Sequence, residues 1–588
     1  MASTAILALA AVVPIATAFV LLVGFRWSAA RSMGVGWLLA TVLGLTYWQM
    51  EPTWWAAVAV YGALEAVNII LIVFGAILLM NYLDISGAIS TIRWHFAGIS
   101  DDRRIQLLLI GLGFETIIEG VAGFGTPGAL AAPLLIGLGF PPLGAAVFAL
   151  FFNAPNPQFG AAGTPILGGV NAVIGDAKLA EATDPITQAQ FQALVSGYTG
   201  VITGLTFVFW GVLGIFLLVY WFGDERERSL RGAARSTAPV VPFAVVLGVV
   251  AGLVQGAIAW FVGPELPSIV AGFVVFGLGL VMADRQLLVP EGTWSFPDRE
   301  SWSDLWLGGL ALDSITGDDP NREMPVWLAW TPYLLVGGAL LLTRLPVLDL
   351  VPTLQEFYVT VPGAINDVSI LGYRLWGDLL FLEYLYELDW RLEYLYLPGT
   401  MPFVPIAVLT GLLHAMDRRE TVEAWRESTR QVAPAALTLV VVVSLTQIMI
   451  ESGTNNASEF VGMMEALSQA VALGAGGALP FVAPWIGALG TFVTGSNTVS
   501  DILFASLQYD AAAEVGISRS IVVAIQNVGG GVGNMISVQN IAAISGVVGI
   551  AGREGDILRK TVVPTVLFAL FVGTVGTVLV YVVAPGAF

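Results

Sequence analysis

The chain has no cysteine and only two histidines, His95 and His414. Without cysteine it can form neither disulfides nor thiolate metal sites, and two histidines do not supply a multi-histidine metal centre. Neither a Gly-x-x-x-x-Gly-Lys-Ser/Thr phrase nor a His-Glu-x-x-His phrase occurs, so the sequence predicts no nucleotide-binding loop and no zinc-protease site. We therefore expect no metal, no cofactor and no enzymatic activity.

Charge is also scarce, because only 11% of the 588 residues are charged. Lysine occurs only at Lys178 and Lys560, and the formal net charge is −19. Such an acidic surface is unsuited to nucleic acid. We interpret it as a sign of a salt-rich (halophilic) habitat, where ionic strength screens repulsion between acidic groups. The alternative is an acidic loop composition without ecological meaning.

Apolar residues, in contrast, make up 56% of the chain. Many apolar runs reach the roughly 18–25 residues that span a bilayer. The first run, Ala5 to Gly24, lacks a basic start and is followed by Arg26 and Arg31, so it is interpreted as a retained span rather than a signal peptide. The predicted fold is an all-α, multi-pass protein of the cell membrane, with about 14 transmembrane helices plus two re-entrant hairpins in an inverted-repeat architecture.

The predicted organisation has four parts. They are N-terminal helices in 1–54, a first repeat in 55–222 with a hairpin near 121–140, central helices in 223–430 with acidic inserts at 284–325 and 346–399, and a second repeat in 431–588 with a hairpin near 495–508. Arginine clusters mark cytoplasmic loops. This rule places the insert 346–399 outside the cell and the insert 284–325 in the cytoplasm. The same rule predicts that the first hairpin enters the membrane from the outside and the second from the cytoplasm. The rule leaves an odd number of spans between Arg104 and Arg226, so one element there is misassigned.

Two stretches, Glu115 to Pro165 and Gly487 to Asn540, repeat one design. Each has a glycine-broken apolar segment, a spanning segment and then a break rich in asparagine and glycine. Freed backbone groups in lipid must be covered by protein or water, and matching interruptions in two halves indicate the binding site of a transporter. Broken helices also present N-termini that suit a carboxylate. Close helix packing through small residues is the alternative.

Several phrases in these stretches resemble the lactate permease family. They are Ala97-Gly-Ile-Ser-Asp-Asp-Arg-Arg104, Glu119-Gly-Val-Ala-Gly-Phe-Gly-Thr-Pro127, Gly160-Ala-Ala-Gly-Thr-Pro-Ile166, Gly495-Ser-Asn-Thr-Val-Ser500 and the segment Gly529–Asn540. The resemblance implies import of L-lactate and related 2-hydroxymonocarboxylates, such as D-lactate and glycolate, by proton symport with alternating access. The chain departs from the family at Glu115 and Asp501, which are acids where neutral residues are expected, and at Asn497, where aspartate is more usual.

The predicted substrate-binding residues lie at the two hairpin tips and at the breaks that face them. Glycine allows close backbone approach, and hydroxyl and amide groups can bind a carboxylate or a 2-hydroxyl. About half of these residues are expected to touch substrate, while the others only satisfy broken backbone. The predicted set is Gly123, Phe124, Gly125, Thr126, Asn153, Asn156, Ser496, Asn497, Thr498, Gln526 and Asn527.

Glu119 is the predicted proton-coupling residue, with Glu115 one turn earlier on the same helical face. An ionisable group at membrane depth is costly and usually functional, and a carboxyl group there can exchange a proton near neutral pH. A carboxylate at the mouth of a water-filled cavity is the alternative for Glu119.

Four other polar residues remain open. Glu65 and Asn68 are candidates for a proton path or for an interhelical hydrogen bond, and His414 for the membrane interface. Asp501 leaves sodium coupling as an alternative to proton coupling.

The sequence gives less support to three other functions. An intramembrane enzyme lacks its nucleophile or metal ligands, and a dicarboxylate would favour a fixed basic residue, which neither hairpin contains. An anion channel would differ by failing to accumulate its substrate. The expected partners are therefore lactate or a related monocarboxylate, a proton with sodium as its alternative, and the lipid bilayer; a homodimer stays open.

Overall fold

The structure is a computed structural model of the chain. It describes residues 4–25, 27–96, 99–123, 125–182, 184–307, 324–360, 369–370, 373–374, 380–550 and 552–588. Most of these residues are helical. Within them, ten helices are long and apolar enough to cross a membrane, and the bent pair Arg519–Ile536 and Val538–Val547 raises the number to eleven. The number is below the predicted 14, and three shorter apolar helices, such as Pro142–Asn153, account for part of the difference.

The helices follow each other in chain order. The first eleven are α1 (Thr4–Phe19), α2 (Ala29–Thr46), α3 (Pro52–Ile85), α4 (Ala88–Phe96), α5 (Arg103–Leu108), α6 (Glu115–Val121), α7 (Thr126–Gly137), α8 (Pro142–Asn153), α9 (Gly160–Thr164), α10 (Asp176–Ala180) and α11 (Gln188–Phe222). The next eight are α12 (Leu230–Thr237), α13 (Val241–Phe261), α14 (Pro267–Asp284), α15 (Asp304–Leu307), α16 (Val326–Arg344), α17 (Leu350–Gln355), α18 (Leu380–Glu387) and α19 (Val404–Leu413). The last seven are α20 (Arg418–Glu451), α21 (Met463–Ala475), α22 (Leu479–Thr494), α23 (Asn497–Val515), α24 (Arg519–Gly533), α25 (Val538–Val547) and α26 (Glu554–Val578).

Four two-residue strands lie between α17 and α19. β1 (Val359–Thr360) pairs antiparallel with β4 (Arg391–Leu392), and β2 (Ser369–Ile370) pairs antiparallel with β3 (Tyr373–Arg374). Strands this short do not form a core of their own.

The long antiparallel helices α3 and α20 define the two ends of the molecule. The Trp54 indole donates to the Glu451 carbonyl (3.3 Å) at one end, and Asn81 Nδ2 donates to Ser428 Oγ (2.8 Å) towards the other. We call them the Glu451 end and the arginine end, the latter because α20 starts there at Arg418-Arg419. Hydrogen bonds from Gln447 to Ala172 (2.5 Å) and from Asn171 to Gln192 (2.7 Å) place the start of α11 at the Glu451 end.

The two acidic inserts lie at opposite ends. The Trp294 indole donates to the Glu227 carboxylate (3.1 Å), beside the arginines that follow α11, so the described part of the earlier insert lies at the arginine end. The Tyr384 hydroxyl donates to Glu51 (2.8 Å), which places α18 at the Glu451 end. Residues 308–323 and most of 361–379 lie outside the described residues.

The first hairpin is longer than the sequence predicts. The π-helical turn Leu109–Phe114 joins α5 to α6, so one helix runs from Arg103 to Val121. The chain then reverses, and α7 runs back along this helix. Just after α7, a Cβ on Gly139 would lie 3.4 Å from the Arg103 guanidinium, so the two arms of the hairpin end side by side. The segment Arg103–Val121 therefore forms the first arm of the hairpin.

The second hairpin consists of α22 and α23, which reverse at Gly495 and Ser496. Gln508 Nε2 donates across the pair to the Ala483 carbonyl (3.0 Å). Lys178, near the start of α11, contacts Asp510 at 2.7 Å, so the open side of this hairpin faces the Glu451 end. The first hairpin opens towards the arginine end, where the Arg103 amide donates to the Trp294 carbonyl (3.0 Å), and the second opens towards the Glu451 end.

Candidate functional site

The two hairpin tips meet around a small cavity in the centre of the molecule. Its volume is about 20 Å³, room for about one water molecule and several times too small for lactate. Both hairpins contribute to the wall, and so does the irregular segment Pro157–Pro165 that follows α8. The lining residues are Glu119, Gly123, Gly125, Pro157, Gly160, Pro165, Gly495, Ser496, Asn497, Thr498 and Asn534.

The tip of the first hairpin turns on two left-handed glycines. Gly123 has φ 59° and Gly125 has φ 80°, a region that glycine enters without steric cost. The Thr126 amide donates to the Gly123 carbonyl (3.0 Å), and this bond closes the turn. Thr126 is half-buried and is not among the cavity-lining residues; Phe124 lies outside the described residues.

The tip of the second hairpin has the same construction. Gly495 ends α22 with φ 74°, and the Ser496 hydroxyl caps α23 by accepting from the Val499 amide (3.4 Å). Asn497 Nδ2 donates to Asn527 Oδ1 (2.7 Å) and so ties this tip to α24. A Cβ on Gly530 would lie 1.7 Å from Asn497 Oδ1, so glycine is required for this close approach.

Two helix N-termini border the cavity, those of α7 at Gly125 and of α23 at Ser496–Thr498. Unpaired amide groups at a helix N-terminus carry a partial positive charge that favours an anion. The lining residues include neither lysine nor arginine. Any attraction of the cavity for an anion therefore comes from backbone dipoles and amide side chains.

Glu119 supplies the one carboxyl group among the lining residues. It is 2% exposed, and its Oε2 accepts from Asn153 Nδ2 (2.8 Å). A Cβ on Gly160 would lie 2.3 Å from its Oε1, so the carboxyl group rests directly on that glycine. A single amide partner and a glycine hold this carboxyl group beside the cavity.

Glu115 lies one helical turn before Glu119 and is fully buried. Within the described part of the chain, neither of its oxygens has a hydrogen-bond partner. It does not line the cavity.

A chain of amide side chains leads from Glu119 to the second half of the molecule. Asn153 accepts through Oδ1 from Asn534 Nδ2 (2.9 Å), and Asn534 in turn accepts from Asn540 Nδ2. Asn540 also lies at both tips, since its Nδ2 is 3.5 Å from the Gly495 carbonyl and a Cβ on Gly125 would lie 3.4 Å from its Oδ1. Asn540 was not among the predicted site residues, although it is the last residue of the family-like segment Gly529–Asn540.

Besides Thr126, the predicted substrate-binding residues Asn153, Asn156, Gln526 and Asn527 are not among the described residues that line the cavity. Gln526 bonds Gln508 (2.5 Å) and Ser500 (3.1 Å) between α23 and α24, and Asn527 bonds Asn497 (2.7 Å), so these two amides join helices. Asn156 donates to the Phe152 carbonyl (3.1 Å) at the end of α8.

A profile of the L-lactate permease family matches residues 7–583. The chain belongs to the L-lactate permease family. It is therefore a multi-pass transport protein of the plasma membrane. It is 27% identical to the L-lactate permease of Escherichia coli K12 over 92% of this chain and 90% of that one. It is also 27% identical to the glycolate permease GlcA of the same strain, over 98% and 96%.

Among solved structures, that of the YdaH transporter of Alcanivorax borkumensis aligns with 88% of this chain and 85% of that chain. The sequence identity is 14% and the TM-score is 0.37. A likeness at this level does not extend to individual helices.

A much larger vestibule of about 690 Å³ lies at the Glu451 end of this permease. Carboxylates such as Glu65 and Glu451 outnumber basic side chains among its lining residues. Burial raises the pKa of the Glu393 carboxyl, which lies in the loop segment of the wall. The turn Pro165–Val170 lies between the vestibule and the small cavity, because Pro165 lines the cavity and Leu167 and Gly168 line the vestibule.

The other polar residues singled out in the sequence lie outside the cavity wall. Asn68 donates to the Arg391 carbonyl (3.0 Å) in the vestibule beside Glu65. His414 bonds Ser86 Oγ (2.8 Å). Asp501 is fully buried behind the second tip, 3.5 Å from Gln526 Nε2.

Proposed function

We propose that this permease imports L-lactate, and related 2-hydroxymonocarboxylates such as D-lactate and glycolate, by proton symport with alternating access. Membership of the family supports the transport of a small monocarboxylate. The names of the two relatives, an L-lactate permease and a glycolate permease, support the substrate class. The absence of lysine and arginine from the described cavity wall supports a singly charged substrate, since a dicarboxylate would call for fixed positive charge.

The observation that carries the proposal is the position of Glu119. Its carboxyl group lies in the wall of a cavity bordered by two helix N-termini. Each N-terminus contributes up to about 2 kcal/mol to anion binding. Two negative charges 4 Å apart repel by about 4 kcal/mol at an effective dielectric constant of 20. The ionised carboxylate therefore cancels the attraction for the substrate, and a proton on Glu119 restores it.

Proton and anion binding are thereby linked in one site. A substrate carboxylate binds well only when Glu119 is protonated, and the proton leaves when the anion has left. Amide groups at the tips, such as Asn497, are suited to the 2-hydroxyl and carboxylate oxygens.

The arginine end is the proposed cytoplasmic face, because cytoplasmic loops are rich in arginine and lysine. The two hairpins are then re-entrant elements of two inverted repeats, entering from opposite faces of the membrane. In this conformation the cavity is too small for lactate, so movement of one hairpin at a time would open it to one side.

The proposal is tested with purified protein in proteoliposomes, by uptake of radiolabelled L-lactate under imposed pH or sodium gradients. Glu119→Gln is neutral at every pH, so we expect exchange of internal for external lactate to continue while accumulation driven by a pH gradient is lost. Glu423→Gln, the same change on the exposed face of α20, serves as the matched control. Concentrative uptake by Glu119→Gln at the rate of the control would remove Glu119 from the mechanism.

Sodium coupling is the second candidate, and Asp501 favours it. Its Oδ2 has no hydrogen-bond partner among the described residues, and a Cβ on the adjacent Gly169 would meet both Asp501 Cβ (3.0 Å) and the Thr498 carbonyl (3.1 Å). Carboxylate and carbonyl oxygens are the ligands that hard cations prefer. Accumulation driven by a sodium gradient at equal pH would establish this candidate in place of proton symport.

A further inference from the structure

The amide chain that starts at Asn540 runs in one hydrogen-bonding direction. Asn540 donates to Asn534, Asn534 donates to Asn153, and Asn153 donates to Glu119 Oε2. Asn534 and Asn153 each accept through the amide oxygen and donate through the amide nitrogen, so the chain that starts with the Asn540 nitrogen ends on the carboxyl group. Asn153 and Asn534 are at least nine-tenths buried, while Asn540 is half-buried at the cavity rim.

Asn540 is also the side chain that lies between the two tips. It contacts the Gly495 carbonyl of the second tip and lies against Gly125 of the first. It reaches this place because the helix bends by 42° between Arg519–Ile536 and α25. Both tips can therefore be held by one residue whose orientation depends on the amide chain.

We propose that Asn540 is a positioning residue that holds both tips closed while Glu119 is ionised and releases them when Glu119 is protonated, acting through Asn534 and Asn153. This inference rests on the proposed function and adds the order of binding, with the proton first and the carboxylate anion second.

The physical basis is the strength of the last bond in the chain. A hydrogen bond to an ionised carboxylate is roughly twice as strong as one between neutral groups. Bonds in a chain also polarise each other, so a strong terminal bond strengthens those before it. Protonation of Glu119 takes away the charge at the end of the chain, which loosens Asn540 and with it the contact between the tips.

The charged surroundings of Glu119 are simple. Among the described residues, Glu115 is the titratable side chain that faces it from α5 to α9 and the turns between them, and α14 presents no charged side chain before its last residue, Asp284. A change in the pH dependence of tip opening therefore reports on Glu119 and its one acidic neighbour.

The first test is the pH profile of lactate exchange in proteoliposomes. We expect exchange by the wild-type protein to fall as the pH rises, because ionised Glu119 closes the tips. Asn540→Ala lacks the bond that holds them, so the ratio of exchange rates at pH 6 and pH 8 should fall about fivefold, the effect of one hydrogen bond. Asn540→Gln, which keeps an amide donor, should restore part of the dependence. Gln431→Ala, which removes an exposed amide on α20, is the matched control.

The second test uses the natural absence of cysteine. Thr126→Cys places a single thiol beside Gly125, and its labelling by a methanethiosulfonate reagent reports the opening of the first tip. We expect faster labelling at low pH, opposite to the intrinsic reactivity of a thiol, which falls as the thiolate is protonated. In the Asn540→Ala background this acceleration should disappear.

The outcomes separate the two proposals. If wild-type exchange and Glu119→Gln exchange respond equally to pH, the proposed function fails. If the wild-type and Glu119→Gln proteins behave as proposed but Asn540→Ala keeps the pH ratio of Gln431→Ala, the role of Asn540 is refuted. A uniform loss of exchange at every pH, with unchanged labelling, would equally refute it by showing a merely structural role.

Discussion

Gly160→Ala directly tests whether the Glu119 carboxyl group must stay where the structure places it. Gly160 has φ −66° and ψ 153°, extended backbone that alanine adopts without strain. The substitution therefore adds one methyl group and alters no backbone preference. The new Cβ would lie 2.3 Å from Glu119 Oε1 and 3.2 Å from its Cδ, so either the carboxyl group or the backbone has to move.

The backbone after Gly160 has little room to retreat. A Cβ on Gly123 would lie 3.0 Å from Ala161, and one on Gly163 would lie 2.7 Å from the Pro264 carbonyl. We therefore expect the carboxyl group to move by about 1 Å, the shift that restores ordinary contact distance, and to lose its 2.8 Å bond with Asn153. Glu119 is protonated in the proposed substrate-binding state, and a hydrogen bond between neutral groups contributes about 0.5–1.5 kcal/mol, which corresponds to a loss of about twofold to tenfold in uptake.

The assay is initial-rate uptake of radiolabelled lactate driven by a pH gradient, normalised to reconstituted protein. Gly137→Ala is the matched control, since no atom lies within 4 Å of its added Cβ in the same hairpin. Glu119→Asp shortens the side chain by one methylene, so the double variant Gly160→Ala/Glu119→Asp should recover part of the loss, a coupling that two independent defects would not show. Wild-type uptake by Gly160→Ala would refute the placement of the carboxyl group.

Two predictions concern stability and are read out by thermal unfolding in detergent. Ala162 has φ 50°, and an L-residue in that region costs about 1–2 kcal/mol, so Ala162→Gly should raise stability by about 0.5–1 kcal/mol after the entropy of glycine is subtracted; a lower midpoint would contradict this. Glu265→Gln breaks the buried pair with Arg344 (2.8 Å) and should cost about 3–5 kcal/mol, whereas Asp389→Asn, in the exposed pair with Arg391, should change stability by less than about 1 kcal/mol. Equal effects of these two substitutions would show that burial of the pair does not matter.

Local sequence predicted many residues that line the cavity. Gly123, Gly125 and Ser496 stand out because glycine and a capping hydroxyl interrupt long apolar runs, which is costly in lipid unless the freed groups are used. Glu119 stands out for the same reason, as a charge within an apolar run. These signals are local, so they are visible without knowledge of the fold.

The pairings between distant segments were not visible. Asn534 bonds Asn153 across the two halves of the chain, and Asn540 reaches Asn534 because the helix bends before α25. Gly160 is needed because a carboxyl group lies against it. The arm from Arg103 to Val121 has the length and composition of a short membrane span. Its contact with Gly139, which the sequence does not reveal, shows that the chain turns back. Hydropathy measures length and composition, whereas hairpin arms are distinguished by their neighbours.

Two barriers close the cavity, the segment after Pro165 on the vestibule side and the contact between the two hairpin tips. They differ in the hydrogen bonds that stabilise them. Towards the vestibule, the segment after Pro165 is held by bonds from Gln447 to Ala172 (2.5 Å), from Asn171 to Gln192 (2.7 Å) and from Gln188 to the Asn171 carbonyl (2.9 Å). At about 1 kcal/mol each, they stabilise this barrier by about 3 kcal/mol. Between the tips, Asn540 bonds the second tip only weakly, at 3.5 Å. Because the weaker barrier opens first, we infer that this conformation opens more readily between the tips than through the vestibule wall, and that Glu119 governs this opening.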